Sequence, residues 1–221
     1  MKKFLVSLSI VGFVFLSSCG SKDTVEATDA QETTQSSAES VEYTVNTAVS
    51  SATWRGFKIF TDTSKPEGGH YGSVKLKAGE ISVKDGVLEA GKFIADMTTL
   101  ESADLNEDPE TKGKLDGHLK SADFLDIEKF PEATFEITGV NKIDSGDYNS
   151  EISGNLDFRG VPKNITFKAN VKEEDDQVTI KSEEFKINRQ DFGIVYQSTG
   201  GESVIKDDVA LQIDITANKK M

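Results

Sequence analysis

At 221 residues, with 36% apolar side chains, 13 Phe and one Trp, the chain suits one domain with a real core plus a tail. Acidic residues outnumber basic ones 38 to 25, a formal net charge of −13, which disfavours nucleic acid and anionic lipid surfaces as partners. One cysteine excludes an internal disulfide, so the domain must hold together by packing.

The chain opens with Lys2 and Lys3, followed by an uncharged run from Phe4 to Leu16. That run is too short to span a bilayer and reads as a secretory signal over residues 1–18. Leu16-Ser17-Ser18-Cys19 resembles the lipobox of bacterial lipoproteins, which implies cleavage before Cys19 and acyl chains on its sulfur. The alternative is an ordinary signal followed by an incidental cysteine. Lys22-Asp23 looks like the surface-export signal of some Bacteroidetes lipoproteins. The expected location is therefore the bacterial cell envelope, lipid-anchored in the outer membrane and facing the periplasm or the outside. From Gly20 to Ser40 the chain has no aromatic residue and consists largely of Ser, Thr, Ala, Gln and acids, a composition that buries no core. Residues 19–40 are accordingly expected to be a flexible linker spanning roughly 25 Å root mean square, with the folded domain at 41–221.

That domain reads as β-structure. Val209, Leu211, Ile213, Ile215 and Ala217 alternate with polar or small residues, as do Ile165, Phe167, Ala169 and Val171, the set Ile152, Gly154, Leu156 and Phe158, and Val74 with Leu76. A period of two buries one face of a strand. Asp85-Gly86 is a two-residue hairpin signal, and Ser145-Gly146-Asp147 and Glu173 to Asp176 mark further turns. The acidic run at 173–176 reads as a solvated hairpin tip rather than a metal site. Short turns between successive strands make antiparallel neighbours, and many of them close into a barrel or sandwich.

One region breaks the rhythm. Between Ser102 and Lys129 lie Pro109, Gly113 and Gly117, with Leu115 and Leu119 at a spacing that suits a short helix. Phe130-Pro131 then forces extended backbone, and Thr134 to Thr138 resumes a strand with Phe135 and Ile137 on one face.

The stretches "HLKSADFLDIEKFPEATF", "SGNLDFRGVPKNITF" (read as one strand) and "FKINRQDFGI" together closely resemble the YceI-like family. His118, Leu119, Ser121, Phe124, Phe130, Pro131 and Phe135 fall on its middle motif. Gly154, Leu156, Arg159 and Gly160 fall on the next, and Phe185, Arg189, Asp191, Phe192 and Gly193 on the last. The resemblance implies an exported, all-β protein with an extended antiparallel, lipocalin-like barrel of about eight strands and one short helical insertion. It further implies a long isoprenoid-type lipid as a bound ligand of the barrel. The early part departs from the family's commoner pattern, with "WRGFKIF" and a later His70 where many members have an early-strand histidine.

Trp54, Phe93, Phe124, Phe135, Phe158, Phe167 and Phe192 are the expected cavity or mouth residues, Phe124 and Phe192 because they lie in non-strand segments. Strand parity leaves the direction of Trp54 open. No HExxH, Gly-x-Ser-x-Gly or phosphate-cradling glycine loop occurs in the chain. His70 and His118 stand far apart in sequence, so a structural metal is not expected, and Arg189 and Asp191 are expected to pair with each other or with backbone. The expected function is binding of an apolar lipid without catalysis, at a membrane reached through Cys19, with no nucleic-acid partner. The alternative is a non-lipid-binding envelope stress or interaction protein with a solid barrel core.

Overall fold

The computed structural model describes residues 24–198 and 201–220, so the signal-like segment, Cys19 and Lys22-Asp23 lie outside the described residues. The strands are β1 (Thr28–Asp29), β2 (Val41–Val45), β3 (Ser51–Phe60), β4 (Gly68–Lys84), β5 (Val87–Ser102), β6 (Glu132–Lys142), β7 (Ser150–Phe158), β8 (Val161–Glu174), β9 (Gln177–Ser182), β10 (Phe185–Asn188) and β11 (Ser203–Lys219). A helix, α1 (Pro109–Lys120), interrupts them, and a short 3-10 turn covers Arg189–Phe192.

Tight turns set the antiparallel order. Asp85 and Gly86 have φ of 51° and 74°, the double positive φ that a two-residue hairpin requires. Arg159 and Gly160 repeat it at 55° and 72°. The segment expected to be one strand, from Ser153 to Phe167, is therefore the β7–β8 hairpin. Arg-Gly is a weaker turn signal than Asp-Gly because arginine seldom adopts the left-handed region. Asp108 caps α1 by accepting from the Thr111 N–H at 3.1 Å, and Pro109 stands where a missing N–H costs nothing.

Eight strands close a ring, in the order β3-β4-β5-β6-β7-β8-β9-β11. The long strands β4 and β11 are bridged by β3 along one half and by β2 along the other. The opposite side has a seam. Strand β9 reaches β8 only from Ala169 onward, while β10 pairs with β11 beside the earlier part of β8.

Residues 24–29 fill that seam. The Val25 N–H donates to the Lys186 carbonyl of β10 at 2.8 Å, and Thr28 and Asp29 pair with Asn164 and Lys163 of β8. Val25 and Ala27 pack against the core. The chain then crosses the barrel as a belt. The Gln31 N–H donates to Asn155 of β7, the Thr34 N–H to the Ile137 carbonyl of β6 and the Ser37 N–H to Glu89 of β5, and Glu39 pairs with Lys84 of β4. This corrects the expected linker: its described part, 24–40, is laid on the barrel instead of leaving it. Composition misled because the belt gains from backbone hydrogen bonds and carboxylate acceptors, which need few apolar side chains. Asn164, 4% exposed, donates to Thr138 and Asn155, a buried polar residue satisfied on both sides.

Candidate functional site

The barrel encloses a cavity of about 450 Å³, within the range of small-molecule sites. Strand alternation builds its wall. Val209, Leu211, Ile213 and Ile215 of β11, Ile152, Leu156 and Phe158 of β7, Ile165 and Phe167 of β8, and Val74 and Leu76 of β4 all line it, as their spacing predicts. On β3 the alternate residues Ala52, Trp54, Gly56 and Lys58 line it, joined by Thr53 and Phe57; Trp54 also packs against the cluster of Val74, Met97, Leu100 and Leu125, so it points in. Several of these apolar side chains, including Phe93, Phe135 and Leu211, are only partly buried, because the space beside them is empty rather than filled by core.

A run of phenylalanines crosses this wall. Phe93 and Phe135 are register partners on β5 and β6 with ring centroids 6.4 Å apart; Phe135 lies 5.5 Å from Phe167, which stacks on Phe185 at 4.6 Å with planes 4° apart. Gly154 makes room for it: a Cβ there would fall 2.2 Å from the Phe135 ring and 2.7 Å from the Glu136 carbonyl oxygen. A side chain at this inward position would displace Phe135.

The helix and its exit form the other boundary. Leu115, His118 and Leu119 of α1, then Phe124 and Leu125, face the cavity. Asp116 ties α1 to β5 by accepting from the Ser102 N–H at 2.8 Å. Burial would raise the Asp116 carboxyl, but its hydrogen bonds from Ser102 and Lys112 outweigh this and hold it below the usual range. The His118 ring is clasped edge-on by Tyr196 at 4.7 Å and Phe124 at 5.9 Å. Arg189, 1% exposed, donates to the Ile194 carbonyl at 2.6 Å, pairs with Asp207 at 2.8 Å and lies 5.9 Å from the Phe124 ring centroid.

Of the expected site residues, Trp54, Phe93, Phe124, Phe135, Phe158 and Phe167 line the cavity. Phe192 does not: fully buried, it packs edge-on against Phe158 at 5.7 Å, behind the wall. The 3-10 turn carries it into the core rather than to the mouth. The acidic partner of Arg189 is Asp207, which β11 brings alongside, and not Asp191. Phe185 and Lys58 were missed, although the alternation of Phe185 and Ile187 with Lys186, and of Trp54 with Lys58, carries the signal.

His70 and His118 both line the cavity, but separately engaged. His70 Nδ1 lies 2.8 Å from Asp104, whose other oxygen accepts from the Tyr71 N–H at 3.1 Å. Among the described residues no three His, Cys, Asp or Glu side chains gather as a metal site. What the arrangement offers chemically is an apolar chamber with a few polar groups at one end.

Fold and site define a closed antiparallel barrel around an apolar chamber. The chain belongs to the family of the YceI-like domain, whose model matches residues 33–217. The match begins inside the belt, not at β2. A UPF0312 protein of Pseudomonas putida is 36% identical over 85 residues, 36% of this chain and 43% of that protein. Protein YceI of Salmonella arizonae is 37% identical over 99 residues, 45% of this chain and 47% of its own length. The chain thus spans under half the length of these relatives. The crystal structure of Burkholderia cenocepacia BcnA shares the fold, with a TM-score of 0.58 over 79% of this chain and 99% of that one, at 15% identity.

Proposed function

We propose that this protein is a bacterial envelope lipoprotein that binds a long apolar ligand in its barrel, an isoprenoid, isoprenoid quinone or related lipid, for storage, shielding or transfer. The observation that carries the reading is the chamber itself, walled by alternating apolar residues from most of the ring and left unfilled by side chains. A solid-cored interaction protein has no use for such a space. Binding without catalysis suits a wall whose inner reaches carry no titratable side chain.

A long isoprenoid chain gains on the order of 15 kcal/mol by leaving water for every roughly 600 Å² of apolar surface removed. A bilayer offers nearly the same, so solvation alone does not draw the lipid into the barrel. Close packing against the phenylalanine run and proximity to the membrane do. Because Thr24 is already held to the barrel through Asp208, acyl chains on Cys19 would keep the domain within roughly 18 Å of its anchor, which raises the effective concentration of the chamber at the bilayer. Exposed Ile59 and Val204, paired across β3 and β11 at the open end, suit such apposition.

The test is purification from the native host without detergent, organic extraction and mass spectrometry. The expected result is a stoichiometric lipid. A parent protein that is stable and yields no lipid overturns the reading.

A further inference from the structure

The chemistry of the lipid's head can be inferred from the charges around the chamber, an inference that rests on the container reading above. Among the described residues its titratable lining side chains are Lys58, His70, His118, Arg189 and Lys206, all of them basic. In a chain with 38 acidic and 25 basic residues, a lining without a single acid departs from what the composition alone would place there.

Three of these bases are answered by carboxylates outside the lining. His70 meets Asp104 at 2.8 Å, Arg189 meets Asp207 at 2.8 Å and Lys206 meets Glu67 at 2.9 Å. Lys58 and His118 differ. Among the described residues Lys58 has no carboxylate partner, its ammonium standing 5.6 Å from the Phe60 ring centroid. Among the described residues the His118 ring nitrogens have no hydrogen-bond partner, while the ring itself is fixed by Tyr196 and Phe124. Lys58 ends the inward stripe of β3, opposite Ile205 and Gly68. Beyond it the strand reaches solvent, so this is where a chain lying among Phe93, Phe135 and Phe167 would present its head.

We propose that the barrel takes an amphiphile with an anionic head, a carboxylate or a phosphate, held at the mouth by the Lys58 ammonium with His118 as a second donor. An ammonium gives short charge-assisted hydrogen bonds to such oxygens, and gives none to a cationic head.

The experiment displaces a neutral apolar dye, N-phenyl-1-naphthylamine, from the full chain. The competitors are tetradecanoate, tetradecyl phosphate, tetradecanol and tetradecyltrimethylammonium, each below its micelle concentration. One or both anions should displace the dye about tenfold more tightly than the alcohol, the size of one charge-assisted contact, and the cation least well. The tighter anion identifies the head. In Lys58→Met the ratio of anion to alcohol should fall toward one, and in Lys58→Glu the order of anion and cation should reverse. Displacement by the alcohol reports that each variant has folded. Equal displacement by alcohol and anions, or a ratio that survives Lys58→Met, overturns the head assignment and leaves the container standing. A barrel that binds neither the dye nor any of the four overturns the container, and the head assignment with it.

Discussion

Tyr43 illustrates how a single polar group is carried inside an apolar barrel. Its ring is 1% exposed, and its hydroxyl donates to Glu173 at the hairpin tip joining β8 and β9. Burial first, then that hydrogen bond and the charges of Glu173 and Asp176, push the phenol from 10.0 up to about 12. A folded pKa above the unfolded one means that the neutral phenol's contribution is complete below pH 10 and disappears as pH rises toward 12. The wild-type advantage over Tyr43→Phe in thermal melting should therefore be flat from neutral pH to about pH 10 and shrink above it. A constant difference through that window would mean that Tyr43 ionises as it does in the unfolded chain. The acidic turn at 173–176 thus anchors a core tyrosine as well as meeting solvent.

At the level of elements, the belt over residues 24–40 is the part that reshapes the account of the molecule. Its first residues complete the barrel wall between β8 and β10. A chain starting at Ser36 of the present numbering would lose the partial burial of Val25 and Ala27 and several backbone hydrogen bonds, about 2 kcal/mol in all. For a domain of this size that lowers Tm by about 4 to 8 °C, with faster amide exchange along the first half of β8. An unchanged Tm together with unchanged exchange would show that the belt contributes nothing to closure. The helical insertion behaves differently: it follows its sequence signals of Pro109 and the Leu115–Leu119 spacing, and it seals the chamber's side through Phe124 and Leu125.

For the whole molecule, the proposed anchor and the barrel are separable. Cys19→Ala should leave the fold and its melting unchanged while moving the protein from the detergent phase to the aqueous phase, since in the proposed reading the acyl chains are what hold it to the membrane. A variant that still partitions with detergent would mean that the barrel itself binds the bilayer. The belt also changes the proposed geometry of delivery. A domain on a long leash samples a wide volume, whereas one held within roughly 18 Å of its acyl chains stays at the headgroups.

The strand content, the turns at Asp85-Gly86 and 173–176, the helix and six of the seven expected aromatic residues were legible in the sequence, because side-chain period and turn chemistry are local properties. Parity also fixed which residues share a face, as with Ile152, Leu156 and Phe158. It could not tell a face turned to the chamber from one turned to packed core, and Phe192, placed at the mouth because it lies outside the strands, is carried into the core by the 3-10 turn. Nor could composition say that a polar segment would find backbone partners on β6, β8 and β10, strands distant in the chain. The tertiary structure alone decided the seam and the belt, the pairing of Arg189 with Asp207, and the gathering of bases from β3, α1 and β11 along the lining of one chamber. Each depends on which strands the ring closure brings together, and closure is a property of the whole sheet.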